Sequence, residues 1–283
     1  MTSAGQTILL TGATSGIGLE AAVKLARQGA QLVLVARSPE RGQAALADVR
    51  QRSGSSAVSM LYCDFSSQAQ IRRLAQEVRA QHPQLHVLIN NAGSVSDQRQ
   101  LTEDGLEQTF AVNHLGYFLL TTLLLDRLEA SAPARVVCVA SVGHYRGDLD
   151  FDDLQYERGY SIMKAYQRSK LANVLFTLEL ARRLEGRGVT VNALHPGVVA
   201  TGIWARAPWW AKPILAVAKL GMVSPEQGGD RLVYLASSPE VAGKTGGYYE
   251  ADRLKTPARL ARDQALQAKL WDVSAALVAP SAR

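Results

Sequence analysis

Tyr166 and Lys170 stand four residues apart in Tyr166-Gln167-Arg168-Ser169-Lys170, inside a run from about Ile162 to Leu184 whose pattern predicts a helix. On a helix this spacing puts phenol and ammonium on one face, about 6 Å apart along the axis. A nearby ammonium favours the phenolate, so the pair is expected to lower the phenol from its usual value of about 10. Such a tyrosine can exchange a proton with an alcohol or carbonyl near neutral pH. Because pairs of this kind also arise as plain surface neighbours, the reading depends on what else reaches the same place. Two further residues do. Arg135 to Ala140 reads as a buried strand that delivers Ser141 to its carboxyl end. Asn113 lies among Phe110, Leu115 and Phe118, where a buried amide must find partners or cost free energy, so it has a structural or catalytic duty.

The stretch that positions these residues is Ile8 to Gly18, a buried strand running through a glycine turn into a helix. Gly12, Gly16 and Gly18 have the spacing GxxxGxG, not the GxGxxG of the common dinucleotide fingerprint. With Ser15 and Ile17 they form a turn that allows close backbone approach to a pyrophosphate and leaves helix N–H groups free to receive it. A helix over Leu19 to Gln28, ended by Gly29, and a strand over Gln31 to Ala36 complete a βαβ unit. Where a carboxylate would hold the ribose diol of NAD, the sequence has Ala36 and Arg37. A guanidinium there favours the 2′-phosphate of NADP(H); otherwise Arg37 is a solvated charge.

The remaining elements repeat the alternation and predict an α/β fold, a Rossmann-type doubly wound parallel sheet with helices on both faces, in one domain over 1–283. Ser38-Pro39 starts a helix to about Arg52, and Ala57 to Cys63 is a strand ending at Asp64. That carboxylate either accepts from the adenine amino group or closes a turn. Ser66 or Ser67 caps a helix that stops before His82-Pro83, which places His82 toward solvent. Leu85 to Ile89 is a strand finishing in Asn90-Asn91-Ala92-Gly93, whose small residues let backbone run beside adenine or ribose. A helix from Thr102 is expected to continue to Leu128 with a kink near Gly116. The chain from Gly143 to Gly159 reads as irregular.

Gly188 to Leu194 is a strand that leads into His195-Pro196-Gly197-Val198-Val199, a rigid turn on the binding edge. His195 reads as a packed turn residue. Thr201 either clamps the carboxamide of a nicotinamide or caps the next segment. From 202 to 221 the chain carries Trp204, Trp209 and Trp210 with Arg206, Lys212 and Lys219, and no acid. This stretch reads as a substrate lid for an apolar substrate or as an interfacial segment resting on lipid. Ser224-Pro225 opens another helix, Gly243 to Tyr249 is a last short strand, and Pro257 to Leu277 is a helical tail that closes over the site or forms a subunit contact.

Composition narrows the classes. The 283 residues are 47% hydrophobic and 20% charged, ordinary for a soluble enzyme. The formal charge of +6 favours anionic company, yet no basic tail or aromatic-basic repeat points to nucleic acid. Cys63 and Cys138 read as buried hydrophobes in a reducing cytoplasm and cannot alone build a zinc site, so no metal is expected. With no run of about 20 uncharged apolar residues, any membrane contact is expected to be peripheral.

Taken together, Thr11 to Gly18, Asn90 to Gly93, Asn113, Ser141, Tyr166 with Lys170, and His195-Pro196-Gly197 make the chain resemble the short-chain dehydrogenase/reductase family over nearly its whole length. Asn113 to Thr121, Ser169 to Asn173, Leu194 to Val199 and Lys269 to Ser274 resemble its retinol-dehydrogenase-like branch. The resemblance implies a tetrad in which Ser141 holds the substrate oxygen, Tyr166 passes the proton, Lys170 holds the nicotinamide ribose and depresses Tyr166, and Asn113 binds a water linking Lys170 to solvent. It also implies Asp64 at the adenine, Asn90 at the ribose side, Thr201 near the carboxamide, and a dimer or tetramer. The expected activity is NADP(H)-dependent interconversion of an apolar alcohol with its aldehyde or ketone; the alternative is a non-catalytic NADP-binding sensor or interaction protein.

Overall fold

A computed structural model of the protein describes residues 3–197 and 223–280. Val199, Thr201, Trp204, Trp209, Trp210 and the rest of the expected lid lie outside the described residues. Eight strands form one sheet in the order β3-β2-β1-β4-β5-β6-β7-β8: β1 Thr7–Thr11, β2 Gln31–Ala36, β3 Val58–Tyr62, β4 Val87–Asn90, β5 Ala134–Val139, β6 Val189–His195, β7 Gly247–Glu250 and β8 Arg253–Lys255. The first seven run parallel, and β8 folds back antiparallel on β7. Strand order reverses between β1 and β4, the switch point outside which open α/β sheets bind ligands.

The central strands β1, β2, β4, β5 and β6 are buried on both faces, and the pleat sends alternate side chains to opposite sides. Leu9, Val33, Leu88 and Val136 enter one core with Phe118, Leu175 and Phe176. Ile8, Leu10, Leu34 and Ile89 enter the other, with Ala21, Ala22, Leu25 and Leu232. The sheet is therefore covered on both sides, as the unbroken apolar strand sequences require. Helices α1 Gly16–Arg27 and α2 Pro39–Ser53, together with the Pro225–Ser237 helix, cover the second face; α3 Gln68–Gln81 and α7 Ile162–Arg183 cover the first. Ser38 and Ser67 cap α2 and α3 through their side chains. The C-terminal helix Gln264–Leu277 packs on α7, with the Trp271 ring stacked on Phe176 at 6.0 Å.

Three expectations need correcting. The long helix from Thr102 is broken into α4 Gln108–Phe110, a π-helical turn Ala111–Leu115, α5 Gly116–Leu123 and α6 Leu125–Ala130. Glu107, not Thr102, caps it, accepting from the N–H groups of Thr109 and Phe110. The irregularity lies in the π turn, where the Gly116 N–H reaches the Ala111 carbonyl five residues back. Gly116 itself serves close packing, since a Cβ there would stand 2.7 Å from Phe65 Cδ1. His82 is buried, not solvent-facing: extended backbone at 82 (φ −127°, ψ 98°) carries the ring off the helical path, and burial pushes its pKa down. The stretch after Ser141 is not wholly irregular, because Val142–Arg146 forms a 3-10 turn.

His114, in the π turn, is fully buried, with Nε2 2.8 Å from Ser274 Oγ of the C-terminal helix. Burial pulls its pKa from 6.5 down to about 3. The folded protein then refuses a proton that the unfolded chain accepts, so stability present above pH 6.5 is lost as the pH falls toward 3. Thermal unfolding followed from pH 8 to pH 4 should show a falling Tm below about 6.5, and His114→Gln should flatten that slope. An unchanged slope in the variant assigns the acid sensitivity to other groups.

Candidate active site

At the switch point, β1 and β4 are held together by side chains that pair with backbone. Thr11 Oγ1 donates to the Ile89 carbonyl at 3.2 Å and accepts from the N–H groups of Asn91 and Ala92 at 2.9 and 3.0 Å. Asn91 Nδ2 donates to the carbonyls of Thr11 and Gly12, both at 2.9 Å. The clamp leaves no room for side chains in the glycine turn. A Cβ on Gly12, whose φ is +70°, would lie 2.8 Å from Ala92 Cα, and one on Gly18 would lie 2.6 Å from Asn91 Nδ2. Helix α1 starts at this turn with Ser15 extended (φ −166°, ψ 170°), no side-chain cap and no acidic residue in its first turn. A 12-residue helix thus presents uncapped N–H groups and the positive end of its dipole at a backbone cradle, which fits a pyrophosphate.

Arg37 follows β2 on the same edge. It is exposed and, among the described residues, makes no hydrogen bond or ion pair, so its guanidinium is available to an anion. Asp64 shows the turn arrangement: its Oδ1 accepts from the Ser66 N–H at 2.9 Å and from Ser66 Oγ at 2.8 Å. Asn90 is fully buried, with Nδ2 donating to Thr121 Oγ1 at 2.9 Å. A ligand near the strand end would therefore meet backbone of the 90–93 segment before the Asn90 amide. Gly93 lies beside the lysine, where a Cβ would stand 3.9 Å from Lys170 Nζ. Pro196 and Gly197, the latter with φ +97°, follow the end of β6.

Ser141, Tyr166 and Lys170 meet past the end of β5. Ser141 Oγ accepts from the Gly143 N–H at 3.1 Å, and its hydrogen bond to Tyr166 draws the phenol's pKa down. Burial acts more strongly in the other direction and raises Tyr166 above its ordinary value. Lys170 is buried, its Nζ donating to the Val139 carbonyl at 3.0 Å and standing 5.7 Å from the centre of the Tyr166 ring. Desolvation takes its pKa from 10.5 to about 8. This corrects the expected depression of Tyr166 by Lys170: the ammonium's hydrogen bond goes to a backbone carbonyl, and burial disfavours the charged form of both groups.

Asn113 is drawn to the same place by the π turn, but its side chain is already engaged. Oδ1 accepts from the Ser94 N–H at 2.8 Å, while Nδ2 donates to the Ser94 carbonyl at 2.9 Å and Ser169 Oγ at 3.0 Å. Ser169 in turn donates to the Tyr166 carbonyl at 2.8 Å, tying the π turn to α7. His195, expected in the turn, is instead the last residue of β6, paired with Glu250 and buried, with its pKa lowered to about 4 by desolvation. Cys63 and Cys138 are free and buried, which raises both thiols, to about 12 and about 11. Sequence reasoning missed Asn91, whose only signal was the second amide of the Asn-Asn doublet just beyond a strand, and Ser169, hidden between the two residues of interest.

The clamp makes a stability prediction. Asn91→Ala removes two hydrogen bonds from partly buried carbonyls, so chemical denaturation should show a loss on the order of 1–3 kcal/mol. A variant as stable as the parent would mean that solvent replaces the amide at no cost.

The short chain dehydrogenase family profile matches residues 6–211. Retinol dehydrogenase 13 of Homo sapiens is 42% identical over 288 residues, covering 99% of this chain and 87% of the relative. Polyprenol dehydrogenase of Mus musculus is 42% identical over 278 residues, covering 94% and 82%. Among solved structures, an uncharacterized protein from Mycobacterium paratuberculosis superposes with a TM-score of 0.80 at 32% identity, covering 98% of this chain and 94% of that one. The Pseudomonas aeruginosa RhlG/NADP active-site complex superposes with a TM-score of 0.70 at 27% identity, covering 89% and 96%. A sheet with this strand order, carrying a glycine cradle on one side of its switch point and a buried serine and lysine with a half-buried tyrosine on the other, thus occurs in a chain that belongs to the short-chain dehydrogenase family.

Proposed function

We propose that the protein is an NADP(H)-dependent oxidoreductase that interconverts an apolar alcohol with its aldehyde or ketone. The observation that carries this reading is the meeting of Ser141, Tyr166 and Lys170 at the sheet edge that also holds the uncapped start of α1. Relatives named as retinol and polyprenol dehydrogenases support the substrate class, and a relative solved as an NADP complex supports the cofactor. The nicotinamide supplies or accepts the hydride.

The chain's own residues do the rest. Gly12, Ser15, Gly16, Ile17 and Gly18 receive the pyrophosphate on backbone N–H groups, and Arg37 neutralises the 2′-phosphate with a charge-assisted contact. Ala92, Gly93, Pro196 and Gly197 are assigned to the nicotinamide end, and the same role is given to Val199 and Thr201, which lie outside the described residues. Asp64 and Asn90 border the adenosine end. Ser141 Oγ holds the substrate oxygen with a hydrogen bond, and Tyr166 Oη donates a proton to that oxygen in reduction or removes it in oxidation. Lys170, a buried donor anchored on Val139, holds the nicotinamide ribose. The Asn113 side chain is held by Ser94 and Ser169, and we assign Asn113 to a water-mediated link between Lys170 and solvent. We assign Trp204, Trp209 and Trp210, which lie outside the described residues, to binding of the apolar substrate.

Two substitutions test this reading. Tyr166→Phe should retain NADPH binding by fluorescence titration while lowering kcat on long-chain aldehydes or retinal by roughly 10²- to 10⁴-fold; full activity in the variant removes Tyr166 from proton transfer. Arg37→Ala should weaken NADPH by roughly 10- to 150-fold, the scale of a lost hydrogen bond to a charged group, and leave NADH nearly unchanged. An unaltered NADPH-to-NADH ratio would sink the assignment of Arg37. Tight NADPH binding without turnover across alcohols and carbonyls would favour a cofactor-sensing protein.

A further inference from the structure

His144, three residues after Ser141 in the 3-10 turn, is fully buried and touches two distant parts of the chain. Its Nδ1 lies 2.7 Å from the Ser141 carbonyl oxygen. A carbonyl can only accept, so Nδ1 carries the proton. Its Nε2 lies 3.1 Å from the amide nitrogen of Ala258. That N–H can only donate, so Nε2 is bare. One ring state satisfies both contacts: the neutral Nδ1–H tautomer.

Ala258 belongs to the strap of chain that follows β8, and the strap holds the turn a second time. Tyr145 Oη shares its one proton between the Thr256 carbonyl at 3.0 Å and Glu250 Oε1 at 3.2 Å. The His144 ring is further packed against Tyr145 and Tyr248, with ring centres 4.0 and 4.5 Å away. What the imidazole grips is the peptide that sets the Ser141 side chain. Ser141 has φ −162° and ψ 155°, and rotation about ψ would swing both the gripped carbonyl and the Gly143 N–H that orients Oγ.

We propose that His144 is a positioning residue for the reaction: held in its Nδ1–H form by the strap at Ala258, it anchors the Ser141 carbonyl and so fixes where the Ser141 hydroxyl meets the substrate oxygen. The proposal rests on the role given to Ser141 above. It links the C-terminal segment to catalysis without requiring that segment to touch substrate.

Three variants separate the two bonds. His144→Phe keeps the ring packing and loses both. His144→Asn offers a donor near the Nδ1 position, and His144→Gln offers an acceptor near the Nε2 position. With a long-chain aldehyde and NADPH, the Phe and Gln variants should lose roughly 10- to 100-fold in kcat at little change in NADPH affinity, the scale of a small misplacement at the reacting centre. His144→Asn should recover most of that loss. A role confined to stability would instead make Asn and Gln alike in kcat, and this outcome overturns the proposal even if the Phe variant does not fold. Nitrogen NMR of the wild-type imidazole gives a reading independent of turnover: the Nδ1–H tautomer is expected, and an Nε2–H tautomer overturns the anchoring. Hydrogen exchange should show the Gly143 and Ala258 amides losing protection together in His144→Phe; protection retained at Gly143 likewise overturns it. A wild-type enzyme inert on every alcohol and carbonyl would defeat the proposed activity, while the tautomer and exchange results would still decide whether His144 anchors the Ser141 turn.

Discussion

The architecture depends on the close approach of two strand ends, those of β1 and β4, at the point where strand order reverses. Nothing in a parallel ladder pairs the carbonyls of Thr11 and Gly12 once the strands part, and buried carbonyls without partners are costly. Asn91 supplies both hydrogen bonds from one amide, and Thr11 closes the opposite side with its hydroxyl. The price of that tightness is the loss of side-chain space at Gly12 and Gly18. The same tightness exposes backbone where α1 begins, so a structural solution for the sheet also produces an anion cradle.

On the other side of the switch point, burial governs the chemistry. Lys170 and Asn173 both donate to the Val139 carbonyl, at 3.0 and 3.2 Å, fastening α7 to the last residue of β5. The lysine is thereby placed by a main-chain acceptor, not by a carboxylate that would fix its charge. Desolvation shifts both groups toward their neutral forms, raising Tyr166 and lowering Lys170 to about 8. Asn113 and Ser169 add rigidity, because the hydrogen bond between their side chains links the π turn to α7, and Ser169 also donates to the Tyr166 carbonyl within that helix.

Much of this was legible from residue pattern. Alternating apolar runs and glycine turns gave the sheet and its helices, since strands buried on both faces have few other ways to pack. Helix starts at Ser38 and Ser67 followed from local capping chemistry. The π turn at 111–115 was hidden because one extra residue in a turn changes no composition, only phase. His82 misled because a histidine beside proline at a helix stop looks like surface, and its burial depends on contacts distant in sequence. The pairings of Asn91 with Thr11 and of His144 with Ala258 span 80 and 114 residues; local periodicity carries no signal at that range. The sign of the Tyr166 shift failed for a related reason, as the spacing revealed a neighbour but not the solvent excluded from both.

The far margin of the sheet carries a separate consequence. β8 is three residues long, antiparallel to its neighbour, exposed throughout, and places Arg253 and Lys255 around Leu254. It is reached through Ala251 and Asp252, both at positive φ (47° and 63°), a tight reversal that non-glycine residues seldom adopt. A parallel sheet that ended at β7 would offer a longer strand with unpaired N–H and C=O groups to any passing chain. The short charged return covers that template, so the hairpin guards the protein against edge-to-edge aggregation during and after folding.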